Sequence, residues 1–297
     1  RGKGCMKRLL KECIEAMKKE KYEMSWLAGD RRRYGNFDWE NSGRQFRFHF
    51  EGRVLSTIST SEYKIKKYNS EKRYLKVIMK FHEKENLKVK RSLDSYKRLF
   101  SRSGKETYFA LSGKRTAAYL TFERNSKNPE VGYVYEYGGD NDALKFMLKK
   151  LFSDFKFKYF SLTSPVRFNK YTELLFECAE RWAVEQHGMV KIFNLKSVLK
   201  KFERQMTLNK KRFGCKGQAI ITLVMTESDQ SVTLKIGKNV RVVNKETSNK
   251  LVLTDRNVVR LIFGLSKPSN EFVLKKEHLI LDSIFPLDYF IWPLESV

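Results

Sequence analysis

The first six residues, Arg1-Gly2-Lys3-Gly4-Cys5-Met6, lead directly into a stretch with the periodicity of a helix. Apolar side chains recur at three- and four-residue spacing over residues 5–19, which predicts an amphipathic helix there. Glycines let the backbone approach a ligand closely, and the start of a helix offers unpaired N–H groups and a positive dipole end. The stretch therefore predicts a cradle for a diphosphate, with Arg1 and Lys3 adding positive charge.

A second informative stretch, GDRRRYGNFDWE at residues 29–40, follows a predicted strand at residues 22–28. Its Tyr34 comes one helix and one strand after the glycine-containing start. A phenol, whose usual pKa is about 10, is a suitable proton donor to a departing thiolate. The alternative interpretation is structural, with the Tyr34 ring packed beneath Phe37 and Trp39.

The two stretches together resemble the GNAT superfamily of N-acetyltransferases, and within it the three-part "enhanced intracellular survival" type. Arg1 and Gly4 match the acetyl-CoA motif Arg/Gln-x-x-Gly-x-Gly/Ala, whereas Met6 departs from the small sixth residue. The three-part type is similar to this sequence in tolerating a larger residue at that position. Tyr34 matches the segment Tyr-x-x-Phe-Gly-aromatic, although Asp38 stands where a glycine usually follows the phenylalanine. The resemblance implies acetyl-CoA as cosubstrate and Tyr34 as general acid. It places the cofactor contacts at Arg1, Gly2, Lys3, Gly4, Cys5, Met6, Gly29 and Asp30.

The rest of the chain divides into two blocks of different organisation. Residues 54–188 predict three strands, a glycine turn, a helix, a strand and a helix, which is an α/β order, and residues 189–297 predict a small sheet carrying helices. The resemblance identifies residues 1–53 as the C-terminal half of a catalytic GNAT domain, 54–188 as a degenerate GNAT-like domain that binds no CoA, and 189–297 as a sterol-carrier-protein-like domain. The predicted fold class is α/β (α+β), and we expect the intact protein to be longer at its N-terminus.

The chain ends in an apolar, proline-punctuated tail, and Val297 is its last residue. The resemblance implies that the terminal carboxylate of Val297 reaches back to the active site as general base. A docked tail is consistent with this role because untethered termini tend to fray. The alternative is a tail that only packs on its own domain.

The net charge of +26 attracts polyanions and is spread along the chain rather than gathered in one block. This spread favours a solvated basic surface, and it leaves a non-catalytic nucleic-acid-binding module as an alternative function. A hydrophobic-ligand carrier is a further alternative, which rests only on the last domain's resemblance. The charge disfavours a polycationic acceptor, which would need a local acidic pocket. Carboxylates that would contribute to one are Glu40, Glu136, Asp140 and Glu295, together with the Val297 carboxylate.

The four cysteines form no CxxC pair and have no histidine at ligand spacing, so the sequence predicts no metal site. Their scarcity fits a reducing cytoplasm, and no apolar run reaches the roughly 18–20 residues that span a bilayer. The sequence thus predicts a cytoplasmic N-acetyltransferase that transfers acetyl from acetyl-CoA to a primary amine of a small molecule or peptide, by direct attack in a ternary complex. The resemblance also implies a homo-oligomer, either a trimer or a hexamer.

Overall fold

Backbone contacts divide the chain into two units, and two of the boundaries between them fall within the strands β2 (Glu40–Phe50) and β8 (Arg181–Ile192). The computed structural model describes residues 4–296. Unit 1 contains the residues up to Arg44 together with Gln186–Asp288, and unit 2 contains Gln45–Glu185 together with the residues from Tyr289 onward. The predicted three-part division at 53/54 and 188/189 stays a prediction.

Unit 1 begins with helix α1 (Cys5–Lys19), which has the bounds that the apolar periodicity predicts. Strand β1 (Met24–Leu27) follows and pairs antiparallel with the last part of β8, with Met24 opposite Ile192. The chain then forms the short helix α2 (Arg31–Tyr34) and one turn of 3-10 helix at Gly35–Phe37 before entering β2. This connection carries the predicted catalytic tyrosine.

The remainder of unit 1 is a small α+β structure. Its sheet has the strand order β11-β10-β9-β12, in which only the β9–β12 pair is parallel. Thr254 caps the helix after this sheet by accepting a hydrogen bond from the Asn257 N–H at 3.2 Å, as its position before an apolar run predicts. The elements are α8 (Leu195–Arg212), β9 (Ala219–Met225), β10 (Gln230–Ile236), β11 (Val240–Val243), β12 (Lys250–Leu253), α9 (Asp255–Phe263), α10 (Pro268–Glu271) and a 3-10 helix at Lys276–Ser283.

Unit 2 is built on strands in the order β2-β7-β6-β5-β4-β3. The neighbours in this order are antiparallel except β6 and β7, which are parallel and are connected by helix α6. The elements are α3 (Gly52–Thr57), β3 (Lys64–Lys67), α4 (Lys72–Glu83), α5 (Leu93–Phe100), β4 (Glu106–Ser112), β5 (Arg115–Arg124), β6 (Val131–Gly139), α6 (Asn141–Asp154), β7 (Tyr159–Pro165), α7 (Thr172–Cys178) and a 3-10 helix at Pro293–Glu295. The predicted α/β (α+β) fold class is confirmed.

The C-terminal tail packs into the core of unit 2. Strands β6 and β7 are paired only as far as Val134, opposite Leu162. Beyond that point the Trp292 ring lies edge-on to Tyr137, with 5.2 Å between the ring centroids. Trp292 is 1% exposed, and Phe290 belongs to the same buried cluster. The alternative of a tail that packs only on residues 189–297 therefore does not hold for Phe290 and Trp292, which lie in the core of unit 2, whereas the tail residues up to Asp288 belong to unit 1.

Candidate active site

The start of helix α1 is an open backbone site. Gly4 precedes the helix in the left-handed conformation, with φ of 66°, which glycine adopts without steric cost. A Cβ atom at Gly4 would meet nothing within 4 Å, and the first turn contains no acidic side chain. Of the other predicted diphosphate contacts, Cys5 and Met6 are the first two residues of α1, whereas Arg1, Gly2 and Lys3 lie outside the described residues. The open helix start fits an anionic ligand.

The segment after β1 owes its conformation to Asp30. The Asp30 carboxylate accepts hydrogen bonds from the N–H groups of Arg32 at 2.7 Å and Arg33 at 3.3 Å, which starts helix α2. Gly29 allows the Tyr34 ring to lie directly on the backbone, since a Cβ atom at Gly29 would come within 2.2 Å of Tyr34 Cε2. Both residues thus position Tyr34, and their predicted contact with the cofactor stays a prediction.

The half-buried Tyr34 ring packs against a small core that also contains helix α1. This core consists of Ile14, Trp39 and Met189, and the Tyr34 ring lies edge-on to Trp39 with centroids 6.5 Å apart. The packing interpretation of Tyr34 is therefore correct for its ring. No residue of the described chain is hydrogen-bonded to its hydroxyl, so packing leaves that group available for chemistry.

Glu40, at the start of β2, is the most buried charged group of this region, with 2% of its side chain exposed. Arg31 donates to both of its oxygens, from Nε at 2.5 Å and from Nη2 at 2.8 Å. Arg256 donates from Nε at 2.8 Å, and the Asn41 N–H donates at 2.9 Å. Burial alone would raise the pKa of Glu40, but these hydrogen bonds outweigh it and hold the pKa below its usual value.

Beside Glu40 lies a polar cavity of about 520 Å³ within unit 1. A second ion pair stands on its wall, in which the Glu271 carboxylate accepts from Arg260 Nε at 3.0 Å and from the Ser266 hydroxyl at 3.0 Å. The lining residues are Arg31, Glu40, Asn41, Gln186, Arg260, Gly264, Leu265, Ser266 and Glu271. The sequence did not predict this cavity, because its residues come from four separate parts of the chain.

Four of the carboxylates predicted for an acidic pocket, those of Glu40, Glu136, Asp140 and Glu295, are paired with basic side chains, and that of Val297 lies outside the described residues. Glu40 is paired with arginines in unit 1, while Glu136 and Glu295 share the buried Arg91 in unit 2. Arg91 Nη2 lies 2.5 Å from Glu136 Oε2, and Arg91 Nε lies 2.5 Å from Glu295 Oε1. Asp140 stands at the N-cap position of helix α6, where its side chain makes no capping hydrogen bond, and it is paired with Arg115. Each of these carboxylates is therefore already neutralised by a cation.

Helix α6 follows the predicted glycine turn in unit 2, and the acidic side chains at its start disfavour a diphosphate. Asp140 stands at the N-cap and Asp142 in the first turn, where Asp142 accepts a hydrogen bond from the Tyr63 hydroxyl at 2.9 Å. These carboxylates already interact with the positive end of the helix dipole and would repel a second anion. Helix α1 is thus the better diphosphate site.

The predicted catalytic Val297 lies outside the described residues. The chain just before it is held by Arg102, whose Nη1 donates to the carbonyl oxygens of Leu294 at 2.9 Å and Ser296 at 2.7 Å. Residues 4–296 contain no group of three or more histidine, cysteine, aspartate or glutamate side chains that could hold a metal ion. Over the same range, no helix has both the length and the apolar character needed to span a bilayer.

No protein-family model and no curated protein sequence matches the chain, but several solved structures share its fold. A conserved protein from Enterococcus faecalis, described as a probable N-acyltransferase, is 14% identical with a TM-score of 0.68, over 98% of this chain and 77% of that one. A GCN5-related N-acetyltransferase from Kribbella flavida is 13% identical with a TM-score of 0.67, over 100% and 76% of the two chains. Eis1 from Mycobacterium abscessus is 10% identical with a TM-score of 0.63, over 100% and 78%. The chain therefore has the fold of GCN5-related N-acetyltransferase structures.

Proposed function

We propose that this protein is an acetyl-CoA-dependent N-acetyltransferase that transfers the acetyl group directly to a primary amine of a small molecule or peptide in a ternary complex. The observation that carries the proposal is the pairing of an open, glycine-started helix with a tyrosine on the same small core. Gly4 opens α1, and Tyr34 packs against the core that contains Ile14 of α1. Similarity to structures named as N-acetyltransferases supports the same function.

The residues at the start of α1 would hold the diphosphate of acetyl-CoA. Its N–H groups supply hydrogen bonds, and Lys7 and Arg8 add exposed positive charge in the first turn. Ile14 lies ten residues further along the helix, which corresponds to about 15 Å. The elongated arm of acetyl-CoA would span this length and bring its thioester toward the core on which Tyr34 lies. Acetyl-CoA supplies the activated acetyl group.

The acetyl transfer requires two proton transfers that protein groups would assist. The acceptor amine must lose a proton before it attacks, and the departing thiolate must gain one. Tyr34 would donate the second proton from its hydroxyl group. The Val297 carboxylate would accept the first, and Arg102, which binds the carbonyl groups of Leu294 and Ser296, would hold the chain just before it.

We include two further features in the proposal. The α+β structure from α8 to α9 would be the sterol-carrier-protein-like domain of the three-part type. It contains a four-stranded sheet that one helix precedes and another follows in the sequence. The protein would also assemble as a trimer or a hexamer. Sedimentation of the purified protein tests the second feature, and a monomer would contradict it.

Calorimetric titration of the full-length protein with acetyl-CoA tests the function. We expect saturable binding that Lys7→Glu weakens about tenfold, because the new carboxylate faces the diphosphate at short range. Lys19→Glu is the matched control, since it makes the same charge change at the other end of α1 and should leave the affinity unchanged. An absence of acetyl-CoA binding by the wild type would remove the proposed function.

A further inference from the structure

The cavity beside Glu40 is lined by two arginines, Arg31 and Arg260, and two glutamates, Glu40 and Glu271. Arg31 pairs with Glu40, Arg260 pairs with Glu271, and Arg256, which does not line the cavity, also binds Glu40. The Glu40 oxygens accept four hydrogen bonds, and Glu271 accepts from Arg260 and Ser266. Both carboxylates on the cavity wall are therefore already paired with arginines, and neither is free to bind an added cation.

Donor groups on the cavity wall are still available to a ligand. Arg31 uses Nε and Nη2 for Glu40, and no hydrogen bond to another described residue uses its Nη1. The Asn41 side-chain amide likewise has no partner within residues 4–296. Arg31 is held in place by its two bonds to Glu40, so its remaining N–H groups are oriented without further loss of freedom. Such a fixed guanidinium is well suited to bind a carboxylate.

Residues at both ends of the segment that carries Tyr34 line the cavity. Arg31 lies three residues before Tyr34 in helix α2, and Glu40 directly follows Trp39, whose ring is in edge contact with Tyr34. A molecule in the cavity thus lies beside the residues that position the phenol. Its volume of about 520 Å³ is in the range of small-molecule ligand sites.

We infer that the acceptor is an amine that also carries a carboxylate, and that Arg31 binds this carboxylate in the cavity with Asn41 beside it. This inference rests on the proposed acetyl transfer and narrows its substrate class. A polycation would find no unpaired carboxylate on the cavity wall, whereas a carboxylate gains a charge-assisted hydrogen bond from a fixed donor. A gain of this kind corresponds to about tenfold or more in affinity.

Matched amines that differ only in the carboxylate test this inference. The pairs are β-alanine with ethylamine, γ-aminobutyrate with propylamine, and L-lysine with cadaverine, and L-lysine methyl ester keeps the amines while removing the negative charge. Binding is measured by calorimetry on the full-length protein without acetyl-CoA, and acetylation is then measured with acetyl-CoA by thiol release. At least one acid should bind about tenfold more tightly than its decarboxylated partner and be acetylated faster.

Arg31→Gln should abolish this preference, and Arg31→Lys, which keeps a cation beside Glu40, should reduce it. Arg33→Gln is the matched control because it removes the same charge from an exposed position of α2. Equal binding of acids and their decarboxylated partners would overturn the inference, as would a preference that survives Arg31→Gln. If acetyl-CoA binds and amines are acetylated without any carboxylate preference, only the inference fails. If the acids bind but acetyl-CoA does not, the proposed function fails instead.

Discussion

Gly29 lies directly beneath the ring of Tyr34, so that a Cβ atom at position 29 would come within 2.2 Å of Tyr34 Cε2. No side-chain carbon tolerates this distance, so Gly29→Ala must displace the ring from its core. We expect the free energy of unfolding to fall by about 1–3 kcal/mol, as in other overpacked sites, and the rate of acetyl transfer to fall with it. Urea unfolding measures the first effect.

Gly237→Ala is the control for this change, because the nearest atom to its Cβ would be 3.8 Å away. It should unfold at nearly the wild-type urea concentration. If both variants unfold at the same concentration, the contact between Gly29 and Tyr34 does not constrain the ring.

The parts of the fold that the sequence predicts are those with a strong local pattern. Helix α1 has the predicted bounds because its apolar face recurs over four turns, and α9 follows its Thr254 cap. Strand β8 was missed because its first four residues are all exposed, so no alternation marks it. Helix α2 was missed because its first three residues are arginines and its signal is only the Asp30 cap.

The candidate site likewise contains one part with a local sequence pattern and one part without it. The close spacing of Gly29, Asp30 and Tyr34 made this segment visible in the sequence, although the structure shows Asp30 capping α2. The contact between Glu40 and Arg256 joins residues 216 positions apart, and no local pattern encodes such a pair. The polar cavity could therefore be found only from the fold.

Loss of the Glu40 charge should destabilise the protein. Glu40→Gln removes the partner of two arginines at a buried position, and we expect a loss of about 1–3 kcal/mol, below the range for fully buried pairs because Arg31 is half exposed. Glu12→Gln is the control, since its pair with Arg8 is exposed and 3.7 Å long. An equal effect of both changes in urea unfolding would contradict the role of Glu40.

The pH dependence of the stability difference between the wild type and Glu40→Gln provides a second measurement. Hydrogen bonds hold the pKa of Glu40 below its usual value, so its contribution is fully present above the usual carboxyl pKa of about 4.3. It is lost as the pH falls below that value and through the lowered pKa of the folded state. The stability gap between the wild type and Glu40→Gln should therefore be constant at neutral pH and narrow below about pH 4. If the stability gap widens on acidification, the pKa of Glu40 is raised in the folded protein, which contradicts the prediction.

The C-terminal tail should contribute strongly to the stability of unit 2. Trp292 is buried against Tyr137 and Phe290, with ring centroids 5.2 and 5.1 Å away, so Trp292→Ala should cost about 3–5 kcal/mol. Trp182 is 52% exposed, and Trp182→Ala should cost less than about 1 kcal/mol. Urea unfolding of the two variants compares the same chemical change in two environments. A small effect at Trp292 would show that the tail is not docked.

The hydroxyl of Tyr34 should matter for turnover rather than for folding or cofactor binding. Tyr34→Phe keeps the ring that packs on the core of Ile14, Trp39 and Met189, and it removes only the group proposed to protonate the thiolate. We expect kcat to fall about 100-fold or more, as for loss of a general acid, with acetyl-CoA affinity within about twofold of wild type. Tyr22→Phe removes a hydroxyl from an exposed ring and should leave kcat unchanged. If Tyr34→Phe turns over at the wild-type rate, another group protonates the thiolate, and if it loses acetyl-CoA binding instead, the hydroxyl serves the cofactor and not the proton transfer.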